Sequence, residues 1–271
     1  MMKAQAILFA GLLCVFSRAA AALIATDNFD YANGSVAGRT GGSGWNNQFV
    51  DEVGAPAQSP SDWDVDFGNA PAVVAGALAT NGGGARREFG GAGEGSAFPS
   101  NEREGAFRGT GRWFLGVTLR IDALSGAGTA QWAGVSSIDF GTERLFWGMT
   151  YQTTATRYFG FDDPAYGATL SSIPVAANTT YMMVAMLDFD NDRMALWVNP
   201  DGNDTQSSYD VSRAYTGTNW SSAVRLASSS GTGATWDNLR IATTFAEAVP
   251  EPSAAALAAL GLLAASRRRR A

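Results

Sequence analysis

Residues 181–200, YMMVAMLDFDNDRMALWVNP, predict two strands and a turn at the centre of the fold. The first half is apolar on both faces of an extended chain, one face carrying Tyr181, Met183, Ala185, Leu187 and Phe189 and the other Met182, Val184 and Met186. This pattern predicts a strand in the middle of a sheet that is covered on both sides. The polar residues 190–192 predict a tight turn, and the second half predicts a return strand that stops at Asn199 and Pro200.

Short apolar or alternating segments, separated by turn residues, recur on both sides of this hairpin. The clearest, residues 112–121, places Trp113, Leu115, Val117, Leu119 and Ile121 on one face. The other segments are 27–31, 72–80, 85–89, 131–140, 144–152, 158–161, 223–227 and 235–242. About a dozen short strands without a helical repeat predict an all-β fold, with two antiparallel sheets packed as a sandwich.

The same patterns predict the connections. We expect residues 72–80 and 85–89 to pair across the Gly-rich stretch 81–84, and residues 131–140 to pair with 144–152. Residues 45–66, rich in Asp, Pro and Ser, predict an irregular covering loop. Residues 207–215 are expected to hold one short helix, and residues 245–249 to form a tether that leads out of the domain.

Composition narrows the chemistry available to the domain. Between residues 23 and 249 the chain has 13 Arg against 24 Asp and Glu, a net charge near −11, and the one Lys of the chain is Lys3. An acidic body without Lys argues against nucleic acid as a partner. Because the chain has no His and its single Cys is Cys14, in the leader, the domain has no thiol nucleophile and no Cys/His zinc site. Any catalysis would rest on carboxylates, Tyr or Arg.

The two ends of the chain differ from the body between them. Residues 1–22 contain Lys3, an apolar run over 6–16 and then small residues, which predicts a secretory signal peptide whose helix is too short to span a membrane. Residues 23–248 are predicted to form the β-sandwich domain. Residues 249–271 form a separate C-terminal segment.

This C-terminal segment has three parts in order: Pro250, Glu251 and Pro252, then the apolar stretch 254–265, then Arg267, Arg268, Arg269 and Arg270. It resembles the PEP-CTERM sorting signal of Gram-negative bacteria. The resemblance implies recognition and cleavage near Pro-Glu-Pro by an exosortase, a membrane transpeptidase-like enzyme, and export to the cell surface or extracellular matrix. An apolar helix would anchor the chain transiently in the inner membrane, with the Arg cluster on the cytoplasmic side. The stretch is short for a full span.

Three blocks resemble the concanavalin A-like, laminin G-like sandwich modules of bacterial surface proteins. They are DNFDYANGSVAGRTGGSGW at 27–45, LDFDNDRMALWVNPDG at 187–202 and WDNLRIATTF at 236–245. The resemblance implies a jelly-roll sandwich whose first strand, residues 27–31, pairs with the closing strand near residues 239–243. It implies no particular ligand, because this fold carries lectins, glycosidases and adhesive modules.

One candidate metal site lies in the turn of the hairpin at residues 181–200, which we call the organising hairpin. Asp188, Asp190 and Asp192 place carboxylates at alternate positions, a spacing that suits the oxygen ligands of calcium. The rest of a calcium loop is missing, since Arg193 stands where a Gly would turn the chain and Asn199 where a Glu would close the loop. A polar hairpin turn is the competing interpretation, and the sequence suggests no other cofactor.

Aromatic and acidic residues are the candidates for a sugar site. Trp45, Trp63, Trp132, Trp147 and Trp220 could stack on sugar rings or could fill the core, whereas Trp113, Trp197 and Trp236 are expected in the core. Hydrolysis of a glycan would need two facing carboxylates. Glu102 and Glu104 lie two residues apart in a predicted loop, and we interpret them as surface charge.

Two hypotheses about function follow. In the first, the chain is an exported, non-enzymatic protein of the cell surface or exopolysaccharide matrix, which binds carbohydrate or packs as a matrix component. In the second, it is a glycan-active hydrolase on a concanavalin-like fold. A facing pair of Asp or Glu in an open cleft would favour the second hypothesis.

Overall fold

The computed structural model describes residues 23–45, 62–88, 112–139, 142–163, 167–188, 190–201, 203–214 and 223–249. Their regular structure is extended apart from one short helix, α1, at Phe245–Ala248. The strands are Leu23–Asp27 (β1), Gly34–Ser35 (β2), Trp63–Gly68 (β3), Ala72–Val74 (β4), Ala77–Thr80 (β5), Gly83–Glu88 (β6), Arg112–Ile121 (β7), Gln131–Asp139 (β8), Thr142–Gln152 (β9), Tyr158–Asp163 (β10), Gly167–Pro174 (β11), Thr179–Asp188 (β12), Arg193–Val198 (β13), Val211–Ala214 (β14), Ala223–Ser228 (β15) and Ala234–Ala242 (β16).

The strands form two antiparallel sheets that pack face to face, which confirms the predicted all-β sandwich. The nine-stranded sheet has the order β14-β13-β12-β7-β16-β5-β4-β2, with β1 paired to part of β16. The seven-stranded sheet has the order β11-β10-β9-β8-β15-β6-β3. Apolar side chains from both sheets meet in one large core between them.

The organising hairpin lies inside the nine-stranded sheet, as its two-sided apolar pattern predicted. Strand β12 pairs with β7 on one side and with β13 on the other. Tyr181, Met183, Ala185 and Leu187 enter the core between the sheets. Val184 and Met186 point the opposite way, into a second apolar cluster on the outer face of the sheet.

The two ends of the domain meet in the nine-stranded sheet. Strand β1 pairs antiparallel with the closing strand β16, and Asp27 lies opposite Leu239. The expected pairing is therefore present, but the first strand is residues 23–27 and not 27–31. The chain leaves the extended conformation at Phe29, which has a φ of 53° and whose carbonyl accepts a hydrogen bond from the Tyr31 amide.

The predicted pairing of residues 72–80 with 85–89 is wrong. Residues 72–74 and 77–80 form their own hairpin, β4 with β5, around Ala75 and Gly76, which both have positive φ. The chain then crosses between the sheets at residues 81–82, so β6 pairs with β3 and β15. Gly82, with a φ of 72°, allows the sharp change of direction that sends the chain to the opposite sheet. The other expected pair, β8 with β9, is confirmed.

Two further segments differ from their predictions. Residues 211–214 form the edge strand β14 and not a helix, because Asp210 continues the ladder: its amide donates to the Leu196 carbonyl and its carboxylate accepts from the Val198 amide. Residues 63–68 form the edge strand β3, although residues 63–66 were expected to belong to an irregular loop. Residues 46–61, which complete that predicted loop, lie outside the described residues.

The segment 245–249 is not a free tether. Thr244 caps α1 by accepting a hydrogen bond from the Glu247 amide. Phe245 packs against Trp197 and Phe114, with ring centroids 4.9 and 6.2 Å away, and thereby covers the outer face of the nine-stranded sheet. Arg240 donates from Nη1 to the carbonyls of Glu247 and Val249, which fixes the end of the helix.

The predicted signal peptide, residues 1–22, and the C-terminal segment from Pro250 onward lie outside the described residues. Within the described part of the chain, no helix has the length and apolarity that a membrane crossing requires.

Candidate functional site

Trp45 and Trp63, two candidates for sugar stacking, belong instead to a buried cluster around Asp27. One Asp27 oxygen, Oδ2, accepts hydrogen bonds from the Tyr31 hydroxyl at 2.6 Å and Trp63 Nε1 at 2.8 Å and contacts Arg87 Nη1 at 2.6 Å. The Arg87 guanidinium lies 4.5 Å from the ring centroid of Trp45. We call this group the Asp27 cluster, and it consists of Asp27, Tyr31, Trp45, Trp63 and Arg87. The cluster joins the start of the β-sandwich domain to both sheets.

Burial dominates the electrostatics of the Asp27 cluster. Burial raises the pKa of Tyr31 above its ordinary value, and the hydrogen bond to Asp27 raises it further. Burial also lowers the pKa of Arg87, an effect that the charge of Asp27 opposes. Asp27 thus stabilises the charge of Arg87 inside the protein. This structural role accounts for the Asp and the aromatic residues at the two ends of the block 27–45.

Trp132 is partly exposed, on the outer face of the seven-stranded sheet, whereas Trp147 is buried in the core. The ring of Trp132 contacts Phe67, with centroids 6.1 Å apart, and Phe146, with centroids 6.0 Å apart and planes at 83°. Phe67, Trp132 and Phe146 form what we call the aromatic strip. Its residues come from β3, β8 and β9, and Phe67 and Trp132 are partly exposed whereas Phe146 is buried.

Glycines on neighbouring strands make room for the aromatic strip. A Cβ on Gly134 would lie 2.3 Å from Phe146 Cζ, and one on Gly84 would lie 2.9 Å from Phe67 Cε1. Gly134 pairs with Gly148, which pairs with Gly160, so a row of residues without side chains crosses three strands. The phenyl rings of Phe146 and Phe67 can therefore approach the backbone closely at Gly134 and Gly84.

A polar network borders the aromatic strip and is centred on Arg225. Its guanidinium contacts Asp66 Oδ2 at 3.1 Å, donates to Ser136 Oγ at 3.0 Å and forms an ion pair with Glu143. Its Cζ lies 5.2 Å from the Phe67 ring centroid. Burial lowers the pKa of Arg225, while its hydrogen bond and charge interaction with Asp66 act in the opposite direction.

The turn of the organising hairpin occupies the oxygens of Asp188 with protein donors. Arg112 Nε lies 2.6 Å from Asp188 Oδ2, and Asn191 donates from its amide to Oδ1 at 3.1 Å and from Nδ2 to both oxygens. Asp190 and Asp192 are exposed. No group of three acidic side chains in the described ranges is arranged to hold a metal ion. Calcium at this turn stays a prediction.

Several candidates from the sequence lie outside the described residues. They are Glu102, Glu104, Trp220, the Pro250-Glu251-Pro252 motif and the cluster Arg267–Arg270. Trp197 and Trp236 are fully buried, as expected, and Trp113 packs against the core as a partly buried side chain.

The comparison with protein families concerns the end of the chain. Residues 248–270 match the PEP-CTERM protein-sorting motif. This match implies export and recognition by an exosortase-type processing enzyme. The first residue of the match, Ala248, is also the last residue of the docked helix α1.

The comparisons with whole proteins give weaker similarities. No curated protein matches the chain. Among solved structures, a CBM2 module of Lactobacillus casei BL23 phage J-1 evolved Dit has a TM-score of 0.45 at 10% identity, covering 83% of this chain and 96% of the module. Trypanosoma rangeli sialidase in complex with the inhibitor DANA has a TM-score of 0.44 at 15% identity, covering 82% of this chain and 30% of the sialidase. The botulinum neurotoxin serotype D binding domain has a TM-score of 0.43 at 7% identity, covering 68% of this chain and 44% of that one.

The chain thus spans less than half of the sialidase and of the neurotoxin domain. Identities and scores of this size assign no ligand or activity to this chain.

Sequence patterns identified Trp132 but missed its neighbours. Phe67 follows the predicted loop 45–66 and was assigned to no strand, and Phe146 was one apolar residue among many in its strand. The glycines within predicted strands were the available signal, because Gly inside a strand often marks a close approach of another group. The Arg225 network had no local signal, since its members are far apart in sequence.

Proposed function

We propose that this chain is an exported, non-enzymatic sugar-binding protein of the cell surface or extracellular matrix. The sorting motif at residues 248–270 supports the export step and the exosortase-type processing. The aromatic strip supports the binding step, and it is the observation that carries the proposal. An extracellular polysaccharide is the partner that fits both the export of the protein and its binding of sugar.

The aromatic strip has the composition of a sugar-binding surface. Binding sites for small ligands combine aromatic side chains with a few well-placed polar groups. The C–H faces of a sugar ring can pack on the exposed part of Trp132. Its hydroxyls can bond to the charged groups around Arg225, which are held in place by their mutual contacts.

The arrangement of the nearby carboxylates favours binding over hydrolysis. A glycosidase needs one carboxyl group that donates a proton to the leaving oxygen and a second that acts on the opposite face of the sugar. Asp66 and Glu143 both contact the same guanidinium, that of Arg225. Each is therefore held in an ion pair, an arrangement that suits hydrogen bonds to sugar hydroxyls.

A glycan array with the purified protein, run with and without calcium, tests this proposal, and Trp132→Ala tests the site. We expect the variant to bind its glycan about tenfold or more weakly, which corresponds to ~1.4 kcal/mol. The control is Val74→Ala, which removes an exposed apolar side chain from the other sheet and should bind as the wild type does.

Equal binding by Trp132→Ala and the wild type, at equal melting temperature, would exclude the aromatic strip. Release of reducing sugar from the bound glycan would favour the hydrolase hypothesis instead.

A further inference from the structure

A cleft of about 550 Å³ opens at the turn end of the organising hairpin, away from the aromatic strip. It is bordered by the start of β7, the turn between β12 and β13, and the edge strand β14. Three arginines, Arg112, Arg193 and Arg213, line it together with Asp188, Asp192 and Ser212. Its volume lies in the range of pockets that hold small ligands.

The first arginine lines the cleft with its two terminal amino groups. Arg112 is held through Nε, which lies 2.6 Å from Asp188 Oδ2, and Asn191 in turn fixes that carboxylate. The side chain of Arg112 is 38% exposed, and its two terminal amino groups have no partner among the described residues. A guanidinium held in this way still offers one edge with two N–H donors.

The second arginine is fixed by an aromatic ring. Arg193 donates from Nη2 to the Tyr209 hydroxyl and to Ser212 Oγ, and its Cζ lies 4.4 Å from the centroid of the Tyr209 ring. This stacking holds the plane of the guanidinium at the wall of the cleft.

The third arginine is fixed between the edges of the two sheets. Arg213 donates from Nη1 to the Gly167 carbonyl at 2.9 Å and to Thr169 Oγ1 at 3.0 Å, and its Nη2 lies 3.5 Å from Asp163. Its Cζ also lies 5.4 Å from the centroid of the Phe161 ring. Asp163, like Asp188, is almost fully buried behind the guanidinium that it contacts.

The accessible chemistry of the cleft is therefore mainly cationic, in a body that carries a net charge near −11. Planar guanidinium groups bind carboxylates through paired N–H donors, and donors that are already fixed lose little entropy on binding. Asp192, which is exposed and has no partner among the described residues, adds one acceptor at the edge of the cleft. A ligand with a carboxylate beside hydroxyl groups suits these guanidinium donors and this acceptor. A small multivalent anion would be repelled by Asp192.

We propose that this cleft binds the carboxylate of an acidic sugar, with Arg112 and Arg193 contacting the carboxylate, Arg213 adding positive charge at the wall of the cleft, and Asp192 accepting hydrogen bonds from sugar hydroxyls. This site is separate from the aromatic strip, and it stands whether or not the strip binds a glycan. Its ligand is a sugar of the uronic acid class.

Titration calorimetry of the full-length protein tests this proposal with an oligomer of galacturonic acid, a neutral oligomer of galactose and inorganic phosphate. The acidic oligomer should bind, and the other two should bind at least about tenfold more weakly. Arg112→Gln should weaken binding of the acidic oligomer about tenfold. The matched control is Arg120→Gln, because Arg120 lies on the same strand, is 48% exposed and also contacts a carboxylate through Nε, that of Asp122, but lies outside the cleft. It should change the affinity less than about twofold.

A second variant guards against loss of binding through misfolding. Asp192→Asn removes the negative charge at the edge of the cleft but keeps Oδ1 as an acceptor for sugar hydroxyls, and Asn suits the positive φ of 48° at this position. It should strengthen binding of the acidic oligomer about two- to threefold, a gain that a damaged fold cannot produce. The proposal is overturned if the acidic oligomer does not bind, if phosphate binds as tightly as the oligomer, or if Arg112→Gln and Arg120→Gln have equal effects.

Discussion

Asp27 is 1% exposed and forms the centre of a cluster that contains Trp45 and Trp63, two candidates for sugar stacking. Its partners Trp63 and Arg87 lie 36 and 60 residues further along the chain. A sequence pattern relates only residues that are close along the chain. It predicted that the loop with Trp45 and Trp63 covers part of the fold, but it could not identify Asp27 and Arg87 as the residues that these rings contact. The contacts assign Trp45 and Trp63 to stability, because a buried Arg–Asp pair needs surrounding donors and low exposure to compensate for lost hydration.

Tyr31 gives this cluster a signature at alkaline pH. The folded-state pKa of Tyr31 is raised above its ordinary value of 10.0, so below that pH the residue is protonated in the folded and unfolded states alike. Above it the unfolded chain ionises first, and stability falls as pH rises. Tyr31→Phe removes this contribution, so we expect its melting temperature to fall less steeply than that of the wild type between about pH 10 and pH 11.

The matched control for this measurement is Tyr151→Phe. Tyr151 is 63% exposed, and its replacement should leave the alkaline decline of the wild type in place. Identical slopes for Tyr31→Phe and the wild type would show that folding does not raise the pKa of Tyr31.

At the scale of elements, prediction succeeded where the signal was local. The two-sided apolar pattern of residues 181–189 correctly placed β12 in the interior of a sheet. The pattern is local because side chains on both faces of this strand are buried. Residues 81–84 were different. Gly permits both a hairpin and a crossover, and the choice depends on which strand is available as a partner, so β5 joined β16 and β6 joined β15.

The helix α1 has four residues, too few to show a helical repeat, and it was missed for that reason. Phe245→Ala would empty the space between Phe114 and Trp197 on the outer face of the nine-stranded sheet. We expect it to lower the free energy of unfolding by about 3 kcal/mol, measured by chemical denaturation.

Ala246→Ser is the control for this variant. It changes an exposed residue of the same helix and should cost less than about 0.5 kcal/mol. If Phe245→Ala unfolds at the same denaturant concentration as the wild type, α1 is not docked on the sheet.

At the scale of the whole molecule, the folded domain and the sorting motif meet without a spacer. Ala248 is buried in the domain and is also the first residue of the matched motif. Truncation after Val249 should therefore leave the melting temperature unchanged and abolish delivery to the surface. Truncation after Thr244, which also removes α1, should lower the melting temperature because it uncovers Trp197 and Phe114. Equal melting temperatures for the two truncations would place the end of the domain before α1.

We propose that a folded β-sandwich is delivered to the cell surface through its C-terminal signal, which is then removed. Mass spectrometry of the protein extracted from the surface of its native cells tests this proposal. We predict a mature C-terminus near Pro250, Glu251 and Pro252, with the peptide that contains Arg267–Arg270 missing. Recovery of the intact Arg-rich terminus from the surface protein would contradict the claim.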